Sequence, residues 1–363
     1  MKRLKTLIFL AAIIYAANYF GLIDKGLDYI LGPEEMDDPT TITPNVEFPE
    51  RNQFQAIDDY AFQVPKNKYE SVADLADYLS QGASTELEKA RIAFSWIANN
   101  IKYDDDGFNS EDYGDLSPEN VLKTNVAVCS GFSTLYEELC KELGLEAKSI
   151  SGYSKGYSYT RGEVFDETTH AWNAVKVDGK WKLLDPTWGS SSAQNVNGKA
   201  VSTSKFKPYW FDTDPYEFLF KHLPEDSEDQ FIPDPLSKEE YEQIDFKDIN
   251  LFQLGVSAKK ILRMVREDNL LEFPKAWKPK YNIQVTKLYL DKNLDSYEDY
   301  TFKVVCDENV RIAFINNGKW TDFQKEGNTY TGTINPNEGD LSVSAQLIGD
   351  EKGAYPLLKY NVQ

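Results

Sequence analysis

The sequence predicts an α+β domain followed by an all-β sandwich, and three observations carry that expectation. Apolar residues recur at helical spacing through the first part of the chain, ahead of a hairpin signal at Asp178-Gly179. Cys129 stands at the start of one of those helices, while His170 and Asp185 fall on the two arms of the hairpin. From about Tyr281 onward, short strand-like runs alternate with turn residues to the end of the chain.

Composition sets the outer limits. With 363 residues, 41% of them hydrophobic, the chain can bury two or three cores without a disulfide or metal staple. Its 59 acidic residues outnumber 39 basic ones, and a net charge of −20 would repel a phosphate backbone, so nucleic acid is not an expected partner. Three cysteines are an odd number, which excludes a disulfide scaffold and leaves at least one thiol unpaired within the chain.

The N-terminus reads as an export signal. Lys2, Arg3 and Lys5 precede an uncharged apolar run from Leu7 to Ala17, interrupted by Asn18 and resumed from Tyr19 to Ile23. Cleavage after Ala17 or Ala16 would put Tyr15 or Ile14 where a small residue is wanted. An uncleaved membrane anchor over 1–30 is therefore favoured over a removed peptide, with the bulk of the chain outside the cytoplasm. The Pro-, acid- and Thr-rich stretch 31–50 reads as a linker.

Elements follow in order. Ser71 with Asp74, and Thr85 with Glu88, look like helix starts; Leu87, Ala90, Phe94, Ile97 and Ile101 lie at helical spacing behind the second. An acidic loop runs from Asp104 to Asp115. A helix from Ser130 to Leu143 is marked by Phe132, Leu135, Tyr136 and Leu139 and ended by Gly144. Two strands, His170–Val177 and Lys180–Trp188, flank Asp178-Gly179. Ser237 with Glu240 opens another helix, and Ala258–Leu271 forms one more. The turn pairs Asn317-Gly318, Glu326-Gly327, Glu338-Gly339 and Lys352-Gly353 then punctuate about seven strands, which suggests an immunoglobulin-like sandwich. The resulting layout is a main α+β domain over 51–235, a helical connector over 236–275 and the sandwich over 276–363.

The chemistry concentrates at three residues. A helix N-terminus offers unpaired amide N–H groups and the positive end of the helix dipole, both of which favour a thiolate at Cys129; taken by itself, a buried packing cysteine is the commoner outcome. If Asp178-Gly179 is a two-residue turn, Val177 pairs with Lys180 and Asp185 opposes Trp172. His170 and Asp185 are then diagonal neighbours on one face of the hairpin. This is the pairing a Cys-His-Asp relay needs, although a structural His–Asp contact would have the same spacing.

These residues lie in three blocks: Val-Cys-Ser-Gly-Phe-Ser-Thr-Leu-Tyr at 128–136, His-Ala-Trp-Asn-Ala-Val at 170–175, and Trp-Lys-Leu-Leu-Asp-Pro-Thr-Trp-Gly at 181–189. In order and spacing they resemble the transglutaminase-like superfamily. That resemblance implies a papain-like core with Cys129 as nucleophile, His170 as base and Asp185 as its orienting partner. The tract Trp210-Phe211-Asp212-Thr213-Asp214-Pro215 through Phe220-Lys221-His222-Leu223-Pro224 is similar to the kyphoscoliosis peptidase branch, more loosely.

Other candidates carry less. His222 sits before Leu-Pro in an expected loop without a strand-borne Asp, and reads as structural. Cys140 lies about 16 Å along the same helix from Cys129, too far for a disulfide, and reads as packing; Cys306 reads as sandwich core. The acidic loop lacks the ligand alternation of a calcium loop, and no Cys/His spacing indicates zinc. Trp172 and Trp188 flank the site, either shaping an acyl groove or simply packing. The expected function is exported, thiol-dependent acyl transfer on protein or peptide amides, hydrolytic rather than crosslinking, with no cofactor. The competing class is a non-catalytic cell-surface binding protein. No residue pattern sets an oligomeric state.

Overall fold

The computed structural model describes residues 53–363 apart from 67, 158, 161, 245–248, 268–271 and 350–352. The anchor and linker expected at 1–30 and 31–50 lie outside the described residues. No helix among the described residues is long and apolar enough to cross a membrane. The described residues divide into two compact units, one drawn from 53–267 with 276–282, the other from 272–275 with 283–363. The helices of the expected connector, Lys238–Gln243, Asn250–Gln253 and Ala258–Arg266, thus fall within the first unit.

That first unit is built around helices α1 (Gln55–Gln63), α2 (Val72–Ser80) and α3 (Glu86–Asn100). A full capping box starts α3: the Glu88 N–H donates to Thr85 Oγ1 at 3.2 Å, and the Thr85 N–H to Glu88 Oε2 at 2.9 Å. Ser71 supplies only half a box, accepting the Asp74 N–H at 3.1 Å. Every residue of α3 from Ala90 to Ala98 is buried, so this stretch runs through the core. Its one charge, Arg91, is fully compensated. The guanidinium holds both oxygens of buried Asp58, at 2.8 and 2.7 Å, and lies against the rings of Phe54, Phe94, Phe206 and Phe211.

Strands β1 (Lys102–Tyr103) and β2 (Val126–Ala127) pair in parallel across α4 (Asp105–Ser110) and α5 (Pro118–Thr124). The acidic stretch is therefore not one open loop, since part of it closes into α4, capped by Asp104. Helix α6 (Cys129–Glu142) follows and ends where Gly144 takes φ +78, a left-handed conformation natural to glycine.

A five-stranded antiparallel sheet completes the unit. It comprises β3 (Ala147–Ser154), β4 (His170–Val177), β5 (Lys180–Leu184), β8 (Phe211–Thr213) and β9 (His222–Pro224), in the order β8-β5-β4-β3-β9. The Asp178-Gly179 turn pairs Val177 with Lys180, as expected. The second arm is shorter than expected: β5 stops at Leu184, because Pro186 begins the short helix α7 (Pro186–Ser190) and Asp185 caps it. Strands β6 (Ser191–Val196) and β7 (Lys199–Ser204) form a separate hairpin, and α8 (Pro215–Leu219) precedes β9.

Gly152 decides how closely β9 can approach. It pairs with His170 on one side and Pro224 on the other. A Cβ there would sit 2.2 Å from the Leu223 carbonyl oxygen and 2.5 Å from the Trp172 ring. Gly152→Ala is expected to destabilise by about 1–3 kcal/mol through overpacking against backbone, read as a lowered urea midpoint. An unchanged midpoint would show that β9 yields freely.

A part-buried carboxyl lies on α8. The Tyr209 hydroxyl donates to Glu217 Oε2 at 2.9 Å. Burial pushes Glu217 up from 4.5 to about 7, against the lowering effect of that bond. A carboxyl raised in the folded state contributes stability that is complete below 4.5 and is lost as pH rises through about 7. Glu217→Gln should remove that loss, making the variant more stable than wild type above about pH 8 by roughly 2–3 kcal/mol. Parallel stability–pH curves for the two proteins would contradict this.

The C-terminal unit holds two sheets. One has the order 283–287, 300–306, 329–334, 324–326. The other has the order 355–362, 339–347, 310–316, 319–322, with 293–294 pairing in parallel with 355–362. Their inner faces meet where Phe302 packs edge-on against Phe314 and Tyr360, at 5.4 and 5.5 Å between ring centres. Cys306 is fully buried in this core.

Candidate active site

Cys129 is the first residue of α6, and Val128 before it provides no side-chain cap. The amide end of the helix therefore stays directed at the thiol's surroundings. Gly131 fits this end closely: a Cβ there would lie 2.7 Å from the Ala127 Cβ. A polar clamp fixes α6 against the sheet. Asn173, wholly buried on β4, donates to the Ser133 carbonyl on α6 at 3.0 Å and to the Lys148 carbonyl on β3 at 3.3 Å. The Ser133 hydroxyl returns a bond to the Trp172 carbonyl at 2.8 Å. The nucleophile's helix and the histidine's strand are thus tied by two bonds, two to four residues from the reacting groups, and a third joins β4 to β3.

His170 opens β4. Its Nε2 lies 2.8 Å from Asp185 Oδ2, which leaves Nδ1 for the thiol of Cys129. Asp185 is fully buried, and its other oxygen accepts the Trp188 N–H at 2.9 Å as the cap of α7. The diagonal placement read from the hairpin register therefore occurs, with Asp185 one step beyond the strand.

The electrostatics follow from these contacts. Burial would raise the Cys129 thiol, but the hydrogen bond and charge of His170, with the Ala171 amide, outweigh it and bring the thiol below its ordinary value. Burial would depress His170, yet the Asp185 carboxylate raises it to about 10. Asp185 is held well below the usual carboxylate range; His170 and then His222 offset the penalty of its burial. The combination favours a thiolate–imidazolium pair at neutral pH.

His222 departs from expectation. It lies on β9, fully buried, and its Nε2 is 3.0 Å from the same Asp185 Oδ2 that His170 uses. The sequence placed it in a loop because a three-residue strand paired with β3 leaves no periodicity to read. Tyr103 was also missed. Its strand β1 runs beside β2, just before Cys129, and its phenol is an electrostatic neighbour of the Cys129 thiol. Burial first, then that neighbour, push the Tyr103 hydroxyl above its usual range, so it stays a neutral donor. Trp172 is fully buried and packs on His170 and His222, whereas half-buried Trp188 covers His170 at 5.4 Å.

Cys140 and Cys306 are buried, and burial pushes the Cys140 thiol up to about 12. Among the described residues, His170, Asp185 and His222 form a group with possible metal-ligand atoms within 4.8 Å of one another, which sequence spacing did not indicate. The contacts of 2.8 and 3.0 Å are hydrogen-bond lengths, each satisfied by one ring proton.

Comparison with known proteins bears on this site. A model of the transglutaminase-like superfamily matches residues 73–186, a span that holds Cys129, His170 and Asp185. Kyphoscoliosis peptidase of Homo sapiens is 32% identical over 219 residues, covering 60% of this chain and 32% of that protein. Hillarin of Drosophila melanogaster is 29% identical over 218 residues, covering 56% of this chain and 26% of that protein. The chain thus spans about a third or less of the length of these relatives. A solved structure described as that of a TGase overlaps 48% of this chain and 38% of that one, at 22% identity and a TM-score of 0.25. The expected similarity to kyphoscoliosis peptidase is thereby found, and residues 73–186 match a domain of the transglutaminase-like superfamily.

Proposed function

We propose that this protein is a thiol acyl-transfer enzyme acting on protein or peptide amides. The observation that supports it most is the continuous arrangement of part-exposed Cys129, His170 and buried Asp185, with the thiol drawn down and the imidazole drawn up. In this reading the thiolate attacks the amide carbonyl and the electron pair moves onto oxygen. The Cys129 amide and the Tyr103 hydroxyl receive that oxyanion. Collapse breaks the C–N bond as His170 gives its proton to the departing amine, leaving a thioester. Water, deprotonated by His170, then releases the acid and the free thiol. We favour hydrolysis over amine transfer because none of the described residues around the thiol suggests a second, amine-holding site.

The same reading places the enzyme outside the cytoplasm, tethered by residues 1–30, on the strength of Lys2, Arg3 and Lys5 before the apolar run. It takes the C-terminal unit as an immunoglobulin-like sandwich. Support comes from strand order: counted along the unit, its strands assemble as first-third-seventh-sixth in one sheet and ninth-eighth-fourth-fifth in the other.

The test is competition among three cysteines within one molecule. Iodoacetamide near neutral pH should modify Cys129 well before Cys140 and Cys306, as read by peptide mass spectrometry. Equal, slow modification of all three would contradict the enzyme and favour a binding protein on the same fold.

A further inference from the structure

We propose that His222 is a positioning residue, a neutral second imidazole that locks Asp185 through Nε2–H and makes the catalytic relay a four-membered one. The inference rests on the thiol-enzyme reading above and adds to it a residue that lies outside the matched domain span of 73–186.

The geometry is specific. Asp185 Oδ2 takes His170 Nε2 at 2.8 Å and His222 Nε2 at 3.0 Å, while Oδ1 takes the Trp188 amide at 2.9 Å. With three donors on two oxygens, the carboxylate has no second rotamer that keeps its bonds. His222 is itself held in a closed aromatic box. Phe218 stacks on it at 4.1 Å, with Trp188 at 4.3 Å, Trp172 at 5.0 Å and Trp210 at 5.4 Å.

The protonation state follows from the other nitrogen. His222 Nδ1 is buried and has no hydrogen-bond partner among the described residues. A charged ring would place an N–H there with nothing to accept it, and would set two imidazolium rings 5.5 Å apart on a single carboxylate. The neutral Nε2–H tautomer avoids both. The titratable or charged groups bearing on His222 are Asp185, His170 and the adjoining Lys221. Burial draws His222 down to about 4 while Asp185 draws His170 up to about 10, so the two rings around one carboxylate hold different charges across neutral pH. The consequence for His170 is that Asp185 cannot turn away from it.

A purely structural histidine would show none of this in the chemistry at Cys129, which gives the test. Iodoacetamide alkylation of Cys129 is followed against pH in the full chain, for wild type, His222→Phe, which keeps a ring, and His222→Gln, which keeps a donor N–H. The expected result is a wild-type midpoint below that of an ordinary cysteine. His222→Phe should move it up by about one pH unit, roughly a tenfold slower reaction well below the wild-type midpoint, and His222→Gln should recover most of that shift. Nitrogen-15 spectra of wild-type His222 should show the neutral Nε2–H tautomer at neutral pH, a reading that needs no variant to fold. The inference is overturned by a His222→Phe midpoint equal to wild type, by equal shifts in both variants, or by an imidazolium signal from His222. An ordinary midpoint in the wild type removes the thiol-enzyme reading itself, and is distinguishable because no variant is involved.

Discussion

Cys129→Ala is expected to abolish amide turnover and all thioester trapping while leaving the fold intact. No other cysteine stands in for it. Cys140 and Cys306 are both buried away from a substrate, and burial holds the Cys140 thiol near 12, so that it supplies no thiolate at neutral pH. The substitution sits at the first position of a helix, where alanine is tolerated, and removes one part-exposed sulfur. Its effect on stability should therefore stay within about 1 kcal/mol. Turnover and thermal unfolding measured together check this. Residual turnover above background would place the nucleophile elsewhere, and a collapse in stability would mark Cys129 as a packing residue.

Asp185→Asn should lower turnover by roughly a thousandfold to ten-thousandfold with little loss of structure. The shape is preserved, and asparagine is itself a good helix cap. The difficulty lies in the donors. Three N–H groups converge on this side chain, and an amide offers one carbonyl where the carboxylate offers two oxygens. If the amide NH2 faces the histidines, His170 must turn its lone pair to it. The ring proton then moves to the side of Cys129, where it cannot accept the thiol proton. If the amide NH2 faces Trp188, the cap of α7 is lost. Either way the charge that raises His170 is gone, so its titration should fall from about 10 toward that of an ordinary imidazole. The alkaline limb of the pH–rate profile would move in the acid direction. A loss below about tenfold, or an unmoved alkaline limb, would show that Asp185 is not coupled to the base.

Which parts of this site were readable depended on the range of the interactions involved. The Asp178-Gly179 turn is local, and from it the pairing of Val177 with Lys180 and the approach of Asp185 to His170 follow by counting. The capping box at Thr85 and Glu88 and the helix stop at Gly144 are equally local. Pro186 was a local signal passed over: it ends β5 and turns Asp185 into a cap. His222 and Tyr103 were different. One rides on a three-residue strand paired with residues far earlier in the chain, the other on a two-residue parallel pair. Strands that short carry no alternation, and their placement depends on tertiary features such as the missing Cβ of Gly152.

The central claim is that Cys129 and His170 share a proton in favour of the thiolate–imidazolium form. The most direct measurement is the ultraviolet absorbance of the thiolate against pH, taken as the difference between wild type and Cys129→Ala. The account predicts one thiolate already present below neutral pH and lost only on further acidification. A single titration near the ordinary cysteine value of about 8.5 would contradict it.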